Sequence, residues 1–399
     1  MRRAAIVSPI RTPVGKFMGA LASIPAGDLG AVIIKALVER TKIDAARIDD
    51  VVFAQGYGNG EAPCIGRWSA LAAGLPITVP GTQLDRRCGS GLQAVIDAAM
   101  RIQTGAADVV LAGGVESMSN VEYYSLDHRG GARMGSTVLH DRLTRGRVMS
   151  QPVARFGEIS GMIETANNLA ADYSISREAC DAYAAESHRR AARAWAEGKF
   201  DAEIVPVAVP QKRGDPVMFA RDEGIRADAT AESLGLLKPI DKGGVVTAGN
   251  ASQQNDAAAA CLVVAEDKLE ELGLEPMAWF HSWAVAGCEP SRMGIGPVPA
   301  VEKLFGRSGL GWGDIDLVEL NEAFAPQVLA VLKGWGWDDR DKLNVNGSGI
   351  SLGHPIGATG VRILANLVRE LERRDGRYGL ETMCIGGGQG LAAIFERAA

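Results

Sequence analysis

The side chains best suited to chemistry in this sequence are two thiols and an imidazole, each set among glycines. Cys88 stands in Arg86-Arg87-Cys88-Gly89-Ser90-Gly91, after the extended stretch Val79 to Leu84. Behind it, Leu92, Val95, Ile96, Ala99 and Met100 share one stripe at helical spacing, which predicts a thiol near a helix N-terminus. Unpaired N–H groups and the helix dipole favour an anion there, so the thiol pKa is expected to fall, with Arg86 and Arg87 adding to the effect. Gly89 and Gly91 leave room for a carbonyl to approach the backbone, as an acyl-transfer nucleophile requires. A small buried hydrophobe is the competing reading of the same cysteine.

His354 is one of only 5 histidines and sits in Gly353-His354-Pro355-Ile356-Gly357, where no helix or strand interior can continue. It is therefore expected to face a cleft or loop, where a neutral imidazole can take a thiol proton and later stabilise charge. Alone it would read as a surface histidine; beside a glycine-flanked cysteine it becomes a candidate base. Cys384 ends a predicted strand, Glu381 to Ile385, before Gly386-Gly387-Gly388-Gln389-Gly390, at a sheet edge where α/β sites form. It reads either as a second acid or base or as a buried apolar residue. Asn321 follows the strand Leu317 to Leu320 and precedes a helix expected to run to about Lys333. An N-cap explains it, and an amide there could also orient a water or stabilise an oxyanion.

Other signals fall away. Gly349-Ile350-Ser351-Leu352-Gly353 has the GxSxG spacing of a nucleophile elbow, but its only downstream histidine is three residues on, too close to complete a triad. No cysteine pair has C-x-x-C spacing and His281 with Cys288 makes no metal pattern, so no metal is expected. The terminal glycine run lacks the early βαβ context of a dinucleotide fingerprint. Arg129, Arg133, Arg142, Arg145 and Arg147 crowd together and either hold an anion or form a solvated face, the reading composition favours.

The elements that must position these groups follow from composition. A chain of 399 residues, 47% apolar and 23% charged, buries a large core and spans two or three domain-sized units. With 42 basic against 48 acidic side chains the net charge is -6, which argues against a nucleic-acid partner. Six scattered cysteines point to a reducing compartment, the cytoplasm by default. Ser8 and Pro9 interrupt the apolar start before a signal peptide forms, and the densest apolar run, Ala257 to Ala265, is far shorter than a membrane span. Glycine is abundant at 49 residues and aromatics are sparse at 6%, which suits an α/β protein with tight strand-to-helix turns. Val51 to Phe53, Asp108 to Leu111 and Asp316 to Leu320 read as strands between the helical stretches Leu29 to Arg40 and Leu92 to Ile102, so helix-covered parallel sheets are expected. Asn346-Gly347-Ser348-Gly349 echoes Cys88-Gly89-Ser90-Gly91, and Ala112-Gly113-Gly114 is matched near the C-terminus, which suggests duplication. Between Ser117 and Val246, with a polar helical stretch from Ile175 to Gly198, the character changes to that of an inserted lobe.

Taken together, these motifs resemble the thiolase family. Arg11 to Phe17 is similar to its opening, Cys88 to Ala94 to its nucleophile segment, and Gly113 to Ser119 to the strand end that follows; Thr247 to Ser252, Gly294 to Ala300, Asn321 to Phe324, Asn344 to Gly360 and Cys384 to Gly388 match in family order. The resemblance implies a five-layered αβαβα fold of two similar α/β halves: residues 1–120, an inserted loop domain at 121–246, a return to the first half at 247–270, and a second half at 271–399. It implies reversible Claisen condensation of acyl-CoA, with acetyl-CoA and acetoacetyl-CoA as the leading substrates and a longer 3-ketoacyl-CoA range as the alternative. Cys88 would be acylated, His354 would activate it, Cys384 would exchange the α-proton, Asn321 would hold an oxyanion-hole water with His354, and the N–H groups of Cys88 and Gly386 would form a second hole. Arg226, Ser233, Ala248, Ala251 and Ser252 fall at coenzyme A contacts. No permanently bound cofactor, nucleic acid or membrane partner is implied; a homodimer or homotetramer is. Three positions depart from the family: the histidine before Met162 is missing, Asp85-Arg86-Arg87 replaces Asn-Arg-Leu, and Gln253 replaces a glycine. A decarboxylating ketoacyl synthase needs no second thiol, and a non-catalytic relative would have lost Cys88, His354 or Cys384.

Overall fold

The computed structural model describes residues 2–398. Its first half contains β1 (Ala4–Arg11), α1 (Ala26–Thr41), β2 (Asp50–Ala54), α2 (Ile65–Ala72), β3 (Gly81–Leu84), α3 (Ser90–Thr104) and β4 (Val109–Ser117). A lobe follows that carries α4 (Arg142–Val148), α5 (Met162–Asp172) and α6 (Arg177–Ala196), after which β5 (Asn255–Ala265) returns to the sheet. The second half contains β6 (Ala278–Gly287), α7 (Pro297–Ser308), β7 (Leu317–Leu320), α8 (Ala325–Trp335), α9 (Ile356–Arg373), β8 (Tyr378–Ile385) and β9 (Gln389–Arg397).

The main strands run in the order β7-β8-β9-β6-β1-β5-β4-β2-β3. Each half repeats one pattern. In the first, β2 pairs parallel with β4, β4 antiparallel with β5, and β5 antiparallel with β1. In the second, β7 pairs parallel with β8, β8 antiparallel with β9, and β9 antiparallel with β6. Leu343 makes a parallel bridge to Val318, as β3 does to β2, just before the Asn346-Gly347-Ser348-Gly349 echo of the Cys88 segment. The suspected duplication is therefore real in topology. The expected parallel sheets are corrected to mixed ones, because in each half the last strand returns antiparallel.

Helices α3 and α9 lie between the halves, with Leu92, Val95, Val361 and Leu364 in one core with Val52 and Val110 of the first half and Met383 and Phe395 of the second. Outer helices cover the far faces: Leu29 and Ile33 of α1 pack on Val51 and Phe53, and Leu304 of α7 and Val331 of α8 on Val318 and Ile394. The result is the α-β-α-β-α layering that the family resemblance implied. The all-buried strand β5 accounts for the apolar run at Ala257 to Ala265, since a strand covered on both faces needs no alternation. The central helices approach through glycine: a Cβ on Gly360 would lie 2.0 Å from the backbone nitrogen of Leu92. Gly360→Ala is expected to cost more than about 3 kcal/mol, read as a fall in the denaturant midpoint, because a backbone contact cannot yield as a side chain can.

The lobe is anchored by a fully buried charge cluster. On β1, Arg11 pairs with Glu203 at 2.6 Å and Asp222 at 2.7 Å. Among the described residues no helix is long and apolar enough to cross a membrane.

Candidate active site

Cys88 lies in a tight helical turn, Arg87–Gly89, from which α3 continues at Ser90. Ser90 fixes that turn, its hydroxyl donating to the Arg87 carbonyl at 2.6 Å and accepting the Arg86 N–H at 2.8 Å. Arg87 has φ +48°, a left-handed conformation that stores strain directly before the thiol. The expectation of a lowered thiol pKa does not hold at rest. Burial pushes the half-buried Cys88 thiol up, and the Gly386 N–H, the Arg87 charge, its own N–H and the Arg147 charge only partly offset it. Arg86 turns away, donating to Gln389 Oε1 at 3.1 Å.

The N–H of Gly386 reaches the sulfur because the β8–β9 turn sits on the Cys88 segment. A Cβ on Gly89 would lie 2.6 Å from Ile385 Cδ1, and Gly387 and Gly388 close the turn with φ of +87° and +86°. Two residues before Gly386, Cys384 is fully buried beside Ala166, Met293 and Phe324. Burial, then the neighbouring Cys88 and Cys288, push its thiol well above the usual range, so it is a protonated acid at neutral pH.

His354 is buried, 6% exposed, which corrects the expected open position. It lies between the helical turn Gly349–Leu352 and α9, which packs on the Cys88 turn, so the other half of the molecule covers it. Asn255 Oδ1 accepts its backbone N–H at 2.8 Å. Its Nδ1 is 2.7 Å from Thr359 Oγ1, whose hydroxyl donates to the Pro355 carbonyl at 3.0 Å. The network thus assigns the proton to Nδ1, which donates to Thr359, and leaves the Nε2 lone pair buried without a partner. Burial, then Arg362 and Arg147, lower the imidazole pKa to about 3, so it is neutral and ready to accept.

Asn321 is not an N-cap. Phe324 caps α8, and Asn321 lies in the connection before it, its N–H donating to the Thr382 carbonyl at 3.0 Å. Both atoms of its side-chain amide are buried without a partner, which leaves them free to hold a water. The next residue, Glu322, is buried and fixed by Ser187 at 2.6 Å, Tyr183 at 2.9 Å and the Asn344 amide at 3.2 Å. A second buried acid, Glu116, accepts the N–H groups of Gly56 at 2.9 Å, Gly357 at 3.0 Å and Tyr57 at 3.1 Å, joining the start of α9 to the segment behind Cys88. Burial pushes Glu116 up to about 7.

Of the candidate coenzyme A contacts, Ala251 and Ser252 meet the Asn321 segment: Ala251 bridges Phe324, and the Ser252 N–H donates to the Ala323 carbonyl at 2.9 Å. Ala248 is exposed nearby. Farther out in the lobe, exposed Ser233 forms a capping box with Thr230, and the Arg226 N–H donates to His188 Nδ1 at 3.2 Å. His188 was missed by sequence reasoning because its polar helix masks it; burial, then Arg226, lower its pKa to about 4. Ser351 is fully buried with its hydroxyl on Ser187 at 2.8 Å, consistent with its rejection as a nucleophile. Within the basic stretch Arg129 and Arg133 are exposed and Arg142 pairs with Glu122 at 2.8 Å.

Comparison with known proteins decides the family. The family models described as thiolase, N-terminal domain, and thiolase, C-terminal domain, match residues 4–267 and 274–397. The chain belongs to the thiolase family. Among thiolase relatives, the acetyl-CoA acetyltransferase of Chromobacterium violaceum is 48% identical over 98% of this chain and 99% of that one. A crystal structure of the Bacillus anthracis acetyl-CoA acetyltransferase superposes with a TM-score of 0.95 at 42% identity, covering 100% of this chain and 99% of the other. The human mitochondrial 3-ketoacyl-CoA thiolase, in complex with CoA, matches with a TM-score of 0.92 at 40% identity, over 100% and 98%.

Proposed function

We propose that this thiolase interconverts two acetyl-CoA with acetoacetyl-CoA and CoA through an acyl-Cys88 intermediate. What supports the reading is a convergence of segments: the Cys88 thiol acts on the buried, protonated Cys384 thiol, the Gly386 N–H lies against Cys88, and α9, which starts two residues after His354 with its free Nε2, packs on the Cys88 turn. In the cleavage direction Cys88 gives its proton to His354 Nε2, and its sulfur attacks the keto carbon. The oxyanion is held by the N–H donors and by a water on Asn321. As the C2–C3 bond breaks, the departing enolate carbon takes the Cys384 proton, and acetyl-CoA leaves. The His354 proton then passes to the Cys384 thiolate, CoA gives its thiol proton to His354 Nε2, and its sulfur attacks acyl-Cys88, whose sulfur leaves and takes that proton back.

Arg226, Ser233, Ala248, Ala251 and Ser252 are the proposed coenzyme A contacts. Residues 1–120 with 247–270 form the proposed first half around a loop domain at 121–246, with 271–399 as the second half. A homodimer or homotetramer in the cytoplasm is the proposed context, in keeping with six free cysteines. The likeness to a 3-ketoacyl-CoA thiolase favours a second reading, a broader or longer acyl range. The test follows the loss of acetoacetyl-CoA enolate absorbance. Loss that requires added CoA is expected; no loss with acetoacetyl-CoA or any longer 3-ketoacyl-CoA would overturn the proposal, and condensation of malonyl thioesters would point to a synthase.

A further inference from the structure

The steps above give no role to Arg147, a cation that acts on both Cys88 and His354. Arg147 projects from α4, half-buried, and the Gln254 side-chain oxygen, once its amide is oriented to suit its neighbours, accepts from both terminal guanidinium nitrogens at 3.2 Å. Gln254 adjoins Asn255, the residue that holds His354 by its N–H. The preceding Gly146 packs on Tyr57, where a Cβ would lie 3.1 Å from Cε1, and the Arg87 guanidinium lies 5.7 Å from that ring's centre. Just past the C-terminus of the helix, Ser150 covers the β8–β9 turn, its carbonyl oxygen 2.9 Å from where a Cβ on Gly387 would stand. Helix α4 thus spans the site from Tyr57 to the turn that carries the Gly386 N–H. Among the described residues Arg147 makes no ion pair with a carboxylate, whereas Arg142 on the same helix does.

A half-buried guanidinium held by a neutral amide keeps its full field, and that field falls on the thiol and the imidazole together. We propose that Arg147 is a positioning residue that maintains positive potential over Cys88, favouring its thiolate as the proton passes to His354 Nε2 and driving that proton onward afterwards. The inference rests on the thiolase reading of Cys88. The charges acting on Cys88 are Arg87 and Arg147, and Cys88 in turn acts on Cys384; Arg362 and Arg147 act on His354, Tyr57 and Asp141 also face Arg147, and Glu116 is committed to three backbone N–H groups. Arg147 lowers the proton affinity of both partners in the transfer, so the resting site stays neutral while the thiolate, once formed, is stabilised.

The test compares the full-length wild type with Arg147→Gln and Arg147→Lys, following iodoacetamide alkylation of the Cys88 peptide against pH. In Arg147→Gln the midpoint is expected to rise by about one pH unit, and kcat for acetoacetyl-CoA cleavage at pH 7 to fall about tenfold with KM within about twofold. Arg147→Lys should stay within about threefold of wild type. A glutamine profile that overlays the wild type, a loss confined to KM, or a lysine variant as damaged as the glutamine one would overturn the inference. If melting shows Arg147→Gln unfolded, Arg147→Met, which keeps the aliphatic stem, is read against the same criteria. Wild-type Cys88 that takes no label from acetyl-CoA would fail the thiolase reading, whereas a labelled Cys88 with an unmoved profile would fail this inference alone.

Discussion

Cys88→Ala is expected to lower CoA-dependent cleavage of acetoacetyl-CoA by more than about 10⁴-fold, equivalent to about 5.4 kcal/mol of transition-state stabilisation. It should leave no acetyl group on the protein after incubation with labelled acetyl-CoA. The size follows from what remains. His354 is a buried base held through Nδ1 by Thr359, and Cys384 is buried and protonated, so neither takes over the attack. The Gly386 N–H and the Asn321 amide would still hold an oxygen, but with no nucleophile to make an oxyanion they have nothing to stabilise. The fold should survive, because the thiol is half-buried at the margin of the central core and alanine keeps the helical turn. Unchanged melting beside undiminished labelling would place the nucleophile elsewhere.

Much of this site was legible because glycine marks it. Cys88, His354 and Cys384 stood out where runs of glycine denied them to a helix or strand interior; in the structure Cys384 acts on Cys88, and α9, which follows His354, packs on the Cys88 turn. What failed were expectations that depend on partners distant in sequence. The helix-start argument for Cys88 omitted the burial that α9 and the β8–β9 turn impose, and that burial outweighs the dipole. His354 looked open because its own segment is irregular, yet α9, Asn255 and Thr359 close around it. The capping error at Asn321 was avoidable: Pro326 sits in the first turn of α8, the position proline favours, and so marks the helix start four residues later. The two halves were visible only as short echoes, since strand order and the Leu343 bridge are properties of pairing rather than of local pattern. Glu116 and Glu322 carried the quietest signal, a carboxylate beside an apolar strand, and each proves to tie together segments far apart in the chain.

Cys384→Ala should separate the two halves of the reaction. Acylation of Cys88 by acetyl-CoA is expected to stay within about threefold of wild type, because that step uses only Cys88, His354 and the N–H donors. Carbon–carbon cleavage should fall by more than about 10³-fold, since the departing enolate then lacks the acid that protonates its carbon. Exchange of the acetyl-CoA methyl protons with deuterated water should vanish with it, as the same sulfur must remove what it delivers. Cys384 suits this work because its pocket of Ala166, Met293 and Phe324 excludes water, which holds the thiol protonated and keeps competing donors away from the carbanion. Removing one buried sulfur costs about 1 kcal/mol of stability, too little to explain a loss of that size. A variant that still cleaved acetoacetyl-CoA at a tenth of the wild-type rate would assign the proton to another group. One that could no longer be acylated would show the second thiol acting on Cys88 itself rather than on the substrate carbon.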